Sequence, residues 1–124
     1  MIDHIKLFVS DFERSRSFYE QALQPLEYRV LLRPAPGVVG MGRDRPDLWI
    51  AQAAQCTTAH VALRADRREL VDAFHEAALT AGGSDNGGPG PRPHYHQHYY
   101  GAFIIDPDGN NIEAVCHDPR APGR

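Results

Sequence analysis

Two histidines and one glutamate carry the chemistry open to this chain. His4 and His60 stand at the start of short apolar segments, in equivalent positions of an internal repeat. Glu113 sits between Ile112 and Ala114 in the last apolar segment, and strand alternation puts its carboxylate on the face opposite those two. Two imidazoles and one carboxylate, with coordination positions left over, suit divalent iron and similar ions. The open positions admit a substrate oxygen or a water, as Lewis-acid catalysis requires. If the two copies of the repeat pair about a pseudo-two-fold axis, the imidazoles converge. Taken singly, a histidine at a strand start or a glutamate on a strand is more often a satisfied or solvent-facing residue. The repeat is what joins the three.

Other polar and aromatic groups lie nearby in sequence. His94-Tyr95-His96-Gln97-His98 would, if extended, point three imidazoles the same way, a workable metal cluster. The favoured reading is a polar loop, because its glycine- and proline-rich surroundings cannot preorganise ligands. His96 or His98 then serves in acid–base work if the loop folds over the site. Tyr99 and Tyr100 precede the strand that pairs with the Glu113 strand, and one of them shares its face. Tyr100 is a candidate for substrate contact or proton transfer, and Tyr99 for ligand binding. Trp49, the only tryptophan, is a core anchor or a stacking wall for a ligand, with the core reading preferred. His75 and His117 read as surface residues, and Cys116 as a small apolar one.

The elements that must position these groups follow from the repeat. Residues 4–23 and 60–79 align without gaps, with seven of twenty positions identical. Chance would give roughly one, so the chain reads as a duplicated unit. Each copy opens with a strand (Ile5–Val9, Val61–Leu63) and then shows a capping box, Ser10-Asp11-Phe12-Glu13 or Asp66-Arg67-Arg68-Glu69. Helices follow, with apolar stripes through Phe18, Tyr19, Ala22 and Leu23, and through Leu70, Ala73, Phe74, Ala77 and Ala78. The first stops before Pro25 and the second at Gly82-Gly83. Further strands are expected at 28–32, 38–41, 48–51, 99–105 and 111–115. Asp106-Pro107-Asp108-Gly109 makes the last hairpin turn. Residues 82–93 read as a mobile surface loop and residues 119–124 as a fraying tail. The layout is β-α-β-β-β twice over. It implies one domain, 1–118, of two modules at about 1–54 and 57–118.

Composition narrows the function classes. The chain has 124 residues, a formal net charge of -3, a single lysine and seven histidines. Without a basic run it is a poor nucleic-acid binder. No apolar stretch approaches the roughly 20 residues that span a bilayer. Met1–His4 leads straight into the first strand pattern, so no signal peptide is expected. Cys56 and Cys116 show no C-x-x-C spacing, and the chain reads as cytoplasmic with free thiols.

His4-Ile-Lys-Leu-Phe-Val-Ser-Asp, Arg16-Ser-Phe-Tyr19, His60-Val-Ala-Leu and Phe103-Ile-Ile-Asp-Pro-Asp-Gly-Asn-Asn-Ile-Glu113 resemble, in that order, the vicinal oxygen chelate superfamily. That group includes glyoxalase I, extradiol dioxygenases, fosfomycin-resistance enzymes and bleomycin-resistance proteins. The resemblance covers residues 2–117. It implies an α+β fold in which two paired βαβββ modules form a curled mixed sheet around a cavity. It also implies that His4, His60 and Glu113 hold a divalent metal ion, Fe²⁺, Mn²⁺, Zn²⁺, Ni²⁺ or Co²⁺. Glyoxalase I adds a glutamate on the last strand of its first module. Aligning Asp47-Leu48-Trp49 on Asn111-Ile112-Glu113 puts Trp49 there, with Asp47 two residues away, so the resemblance disfavours a true glyoxalase I.

The resemblance implies a metal-dependent enzyme that chelates neighbouring oxygens of a small oxygen-rich substrate, in lyase, isomerase or dioxygenase-type chemistry. The alternative is a non-catalytic protein of the bleomycin-resistance type that sequesters a drug or metabolite between Trp49, Tyr99 and Tyr100. A third reading has the metal only bracing the two modules. Open sheet edges and a shallow cavity point to a homodimer, with sites inside one chain or across the interface. No nucleic-acid or membrane partner is expected.

Overall fold

The computed structural model describes residues 1–120; of the expected tail, residues 121–124 lie outside the described residues. Among the described residues, eight strands and two α-helices follow one another as two β-α-β-β-β runs. The first is β1 (Ile5–Val9), α1 (Phe12–Ala22), β2 (Arg29–Ala35), β3 (Val38–Gly42) and β4 (Leu48–Gln52). The second is β5 (His60–Arg64), α2 (Arg68–Thr80), β6 (Ser84–Pro91), β7 (Tyr100–Ile105) and β8 (Asn111–Cys116). A single 3₁₀ turn, Gln24–Leu26, follows α1 where Pro25 ends the α-helix. No helix among the described residues is long and apolar enough to cross a membrane.

The strands form two four-stranded mixed sheets, in the orders β1-β4-β3-β2 and β5-β8-β7-β6. The α+β class and the doubled unit are as expected. The two sheets do not close into one continuous wall within the chain. β1 pairs with β4 and β5 with β8 in parallel; every other pairing is antiparallel. The two halves keep the same register. Ile5 stands opposite Leu48 as Val61 stands opposite Ile112, and Lys6 opposite Trp49 as Ala62 opposite Glu113.

One face of each sheet packs into a shared core with the helices. Phe18, Tyr19 and Leu23 of the first half and Val71, Phe74, Tyr100 and Ile112 of the second are nearly inaccessible members of it. The helix stripes read from sequence supply Phe18, Tyr19, Leu23 and Phe74, whereas Val71 lies beside the expected α2 stripe and Tyr100 and Ile112 come from β7 and β8.

The segment expected to be a mobile loop is instead β6. Asp85 pairs with Ile104, Gly87 with Phe103 and Pro91 with Tyr100, with register shifts on either side of Gly87. Its glycines and prolines argue against a strand locally. An edge position makes them tolerable, because an edge strand leaves one side of its backbone free of ladder bonds and accommodates bulges. Pairing with β7 decides the outcome, not local propensity.

Both helix starts lie one residue later than the capping-box reading. Asp11, not Ser10, caps α1, accepting from the Arg14 N–H. Arg67, not Asp66, takes the cap position of α2 and makes no side-chain cap bond. Ser10 is otherwise engaged, donating from N–H and hydroxyl to Asp108 Oδ1 at 3.2 and 2.5 Å. Ser15, fully buried, donates to the other Asp108 oxygen at 3.2 Å.

The turn between β7 and β8 therefore does more than reverse the chain. Gly109 takes φ 91° and donates to the Asp106 carbonyl, as the sequence reading requires. The Asp106 carboxylate is buried and accepts from the N–H groups of Asp108 and Asn110, from the Asn110 side chain and from the Tyr19 hydroxyl on α1. Burial, and the negative charge of Asp106, hold the Tyr19 phenol well above its ordinary range. Asn110 in turn accepts from Ala59 N–H at 2.8 Å, which anchors the residue before His60.

Candidate functional site

His60 and Glu113 come together across the β5–β8 pair. His60 opens β5, and Glu113 lies on the face of β8 away from the helices, since Ile112 and Ala114 belong to the core. His60 Nε2 stands 2.8 Å from Glu113 Oε1. Glu113 is 1% exposed, whereas the His60 side chain is 54% exposed. A buried carboxylate needs partners, and Glu113 has one on each oxygen. Tyr99 donates its hydroxyl to Oε2. Burial and the Glu113 carboxylate raise the Tyr99 phenol above its usual range. The Phe103 ring lies beside His60, with centroids 6.1 Å apart.

Tyr99, rather than Tyr100, shares the Glu113 face. Tyr100 opens β7 on the helix side, where it is buried. Its hydroxyl donates to Asp72 of α2 at 2.6 Å, and Arg68 lies over its ring. Substrate contact by Tyr100 has no support in this placement.

The His94–His98 segment is turned, not extended. Backbone N–H groups of Tyr95 and His96 donate to the Arg92 carbonyl, and that of Tyr99 to the His96 carbonyl. The imidazoles are accordingly not aligned. His94 packs on Tyr95, while His96 meets His98 and His117 at 6.2 and 5.6 Å between centroids. His117 in turn packs edge-on against Tyr99. His96 reaches Glu113 only indirectly among the described residues, through Tyr99, which it meets by the backbone bond and by way of His117.

His4 is not gathered into this group. It precedes β1, is 51% exposed, and its Nδ1 lies 2.8 Å from Asp3. Among the described residues, no three His, Cys, Asp or Glu side chains stand close enough to hold one ion. His4 lines a cavity of about 480 Å³ with Lys6, Arg45 and Trp49. Trp49 is half-buried there, not a core anchor. Strand register puts it in the place that Glu113 holds in the other half, and Asp47 in the place of Asn111. The Asp47 carboxylate receives the Tyr28 hydroxyl, which with burial raises that phenol's pKa. His75 packs on α2 against Asp85 at 2.9 Å, so its side chain is mostly covered instead of lying free on the surface. Cys56 is exposed and Cys116 buried, both free thiols.

A family sequence profile matches residues 26–114, most of the chain. The protein belongs to the Glyoxalase/Bleomycin resistance protein/Dioxygenase superfamily. Among solved structures, a glyoxalase/bleomycin resistance protein from Albidiferax ferrireducens is similar at 27% identity and TM-score 0.78, with 92% of this chain and 96% of that one covered. A superfamily enzyme from Burkholderia phytofirmans shares the fold at 17% identity and TM-score 0.74, covering 94% of this chain and 98% of that chain. A glyoxalase I variant from Zea mays matches at 27% identity and TM-score 0.71, over 92% of this chain but 46% of that longer chain. No curated protein matches the sequence.

His60 Nε2 and Glu113 Oε1 stand at direct hydrogen-bonding distance, 2.8 Å, and are a nitrogen and an oxygen of the kinds that divalent ions take. The Tyr99 bond on the remaining oxygen is the kind of outer contact that fixes a ligating carboxylate. Of the three sequence candidates, His60 and Glu113 thus stand together on the second sheet, while His4 stands apart, just before β1.

Proposed function

We propose that this chain is a metal-dependent enzyme of the vicinal oxygen chelate type, acting on a small oxygen-rich molecule as a lyase, isomerase or dioxygenase-type catalyst. The observation that carries the reading is the buried, Tyr99-held Glu113 carboxylate beside the His60 imidazole. His60 and Glu113 would hold the ion, with His4 as third ligand. A bound divalent ion supplies Lewis acidity to two neighbouring substrate oxygens. The chain's own residues do the rest. Glu113 lends negative charge, Tyr99 orients it, and Phe103 walls the imidazole.

Because His4 stands apart from the pair within one chain, the reading includes a homodimer. The His4-bearing sheet of one copy faces the His60–Glu113 sheet of the other. β1 and β5 are edge strands, and Phe8 and Leu32 of the first sheet are about half exposed, at 48% and 49%, which a second copy would cover.

Metal content of the purified protein, beside His60→Ala and Glu113→Ala, tests the assignment. Near-stoichiometric metal in wild type and its loss in both variants is the expected result. Wild-type protein that takes up no metal on reconstitution sinks the enzyme reading in favour of ligand sequestration.

The two tyrosines separate in the same assay. Tyr99→Phe is expected to weaken metal retention about ten-fold or more, because it strips the ligating carboxylate of its outer donor. Tyr100→Phe should leave retention unchanged and lower stability by about 1 kcal/mol, the worth of one buried hydrogen bond. Equal retention in both variants would detach Tyr99 from the site.

A further inference from the structure

Among the positions at which the two halves differ is one cross-strand pair on the face that carries Glu113. In the second half these positions hold Ala62 and Glu113; in the first they hold Lys6 and Trp49. Lys6 is the chain's only lysine. It is exposed, lies on β1 two residues after His4 and lines the same cavity of about 480 Å³. That size suits a small molecule.

The charges around the cavity do not cancel. Arg45 is taken up by Asp3, whose Oδ2 lies 2.6 Å from the guanidinium, while Oδ1 meets His4 Nδ1 at 2.8 Å. Lys6 joins no ion pair among the described residues. One ammonium is thus left over on this wall, in a chain of net charge -3.

The aromatic beside it is held in a built seat. The six-membered ring of Trp49 lies over Gly40, where an added Cβ would stand 2.9 Å from Cη2 and Cζ2 of the indole and 3.0 Å from Pro46. Only a residue without a side chain leaves that space. The ring therefore packs against the backbone at Gly40 and lines the cavity with the lysine.

We propose that the ligand of this cavity bears an anionic group, carboxylate or phosphate, beside a flat apolar part. Lys6 pairs with the anion and Trp49 packs on the flat part, so the first half recognises while the second supplies the His60–Glu113 donors. A lysine ammonium is a point charge that serves either anion. The assignment rests on the cavity beside His4 being the substrate site of the proposed enzyme, and binding can be read without turnover.

Trp49, as the sole tryptophan, reports occupancy by its own fluorescence. Wild type and Lys6→Met are titrated with mandelate, phenyl phosphate and the neutral mandelamide, each with metal and after chelation. Quenching by at least one anion at about five-fold lower concentration than by the amide is expected of wild type, and the preference should disappear in Lys6→Met. It should also shrink in high salt. Whichever anion binds tighter tells carboxylate from phosphate. Metal content is measured on the same samples, so a failed metal assignment shows there, while an anion preference surviving chelation still supports Lys6. No quenching by either anion, or an equal preference in Lys6→Met, overturns the proposal. So does loss of metal or of the dimer in Lys6→Met, which would make Lys6 a structural counter-ion of Glu113 in a second copy.

Discussion

Asp106→Ala should lower stability by about 3–5 kcal/mol, the cost of leaving buried donors without their charged acceptor. Four donors converge on this carboxylate: two backbone N–H groups, the Asn110 amide and the Tyr19 hydroxyl. Asp106 is 4% exposed and Tyr19 fully buried, so water cannot replace the lost acceptor without opening the core. The expected fall in Tm is about 10–20 °C for a domain of this size. Tyr19→Phe removes one donor and keeps the turn's own bonds, so it should cost only about 1–2 kcal/mol. The contrast between the two variants, read by thermal or urea denaturation, checks the argument. Equal midpoints for Asp106→Ala and wild type would show that the turn does not tie the second half to α1.

Mixing two variants that each fail to hold metal should regenerate metal sites. In the proposed homodimer each site takes His4 from one copy and His60 with Glu113 from the other. His4→Ala and Glu113→Ala homodimers then each have both sites damaged. A dimer of one copy of each has one intact site and one doubly damaged site. Random assortment after unfolding and refolding at equal amounts makes half the dimers mixed, so metal should return to about one quarter of the wild-type content per chain. Sites complete within one chain would give no return, because every chain in the mixture carries a damaged ligand. Mass spectrometry of the reassorted protein reads the result directly. The prediction follows from the placement of His4 beside Asp3, just before β1 of one sheet, and of the His60–Glu113 pair in the other.

Much of this architecture was legible in the sequence because it is encoded over short spans. The repeat, the helix stripes through Phe18 and Phe74, the seven strands marked by apolar runs and the Gly109 turn all depend on neighbouring residues. The offset alignment that set Trp49 against Glu113 corresponds to the strand register, since a duplicated unit carries its pairing with it. The same reasoning stopped where contacts are remote. Ser84–Pro91 reads as a loop from composition alone, and its strand state comes from β7. Asp106 and Asp108 read only as turn residues, although their carboxylates meet Tyr19, Ser10 and Ser15 nearly ninety positions away in the chain or more.

The amino-acid sequence by itself determined the β-α-β-β-β duplication, the family resemblance and the candidates His4, His60 and Glu113, because residue type and periodicity are local properties. Tertiary structure alone decided which of them meet. It placed Tyr99 rather than Tyr100 on the Glu113 carboxylate, since β7 register sets the face each side chain takes. It turned the histidine run away from a metal cluster through backbone bonds to Arg92. It also kept His4, just before β1 of one sheet, apart from His60 and Glu113 on the other, because the two halves build separate sheets that share a core with the helices.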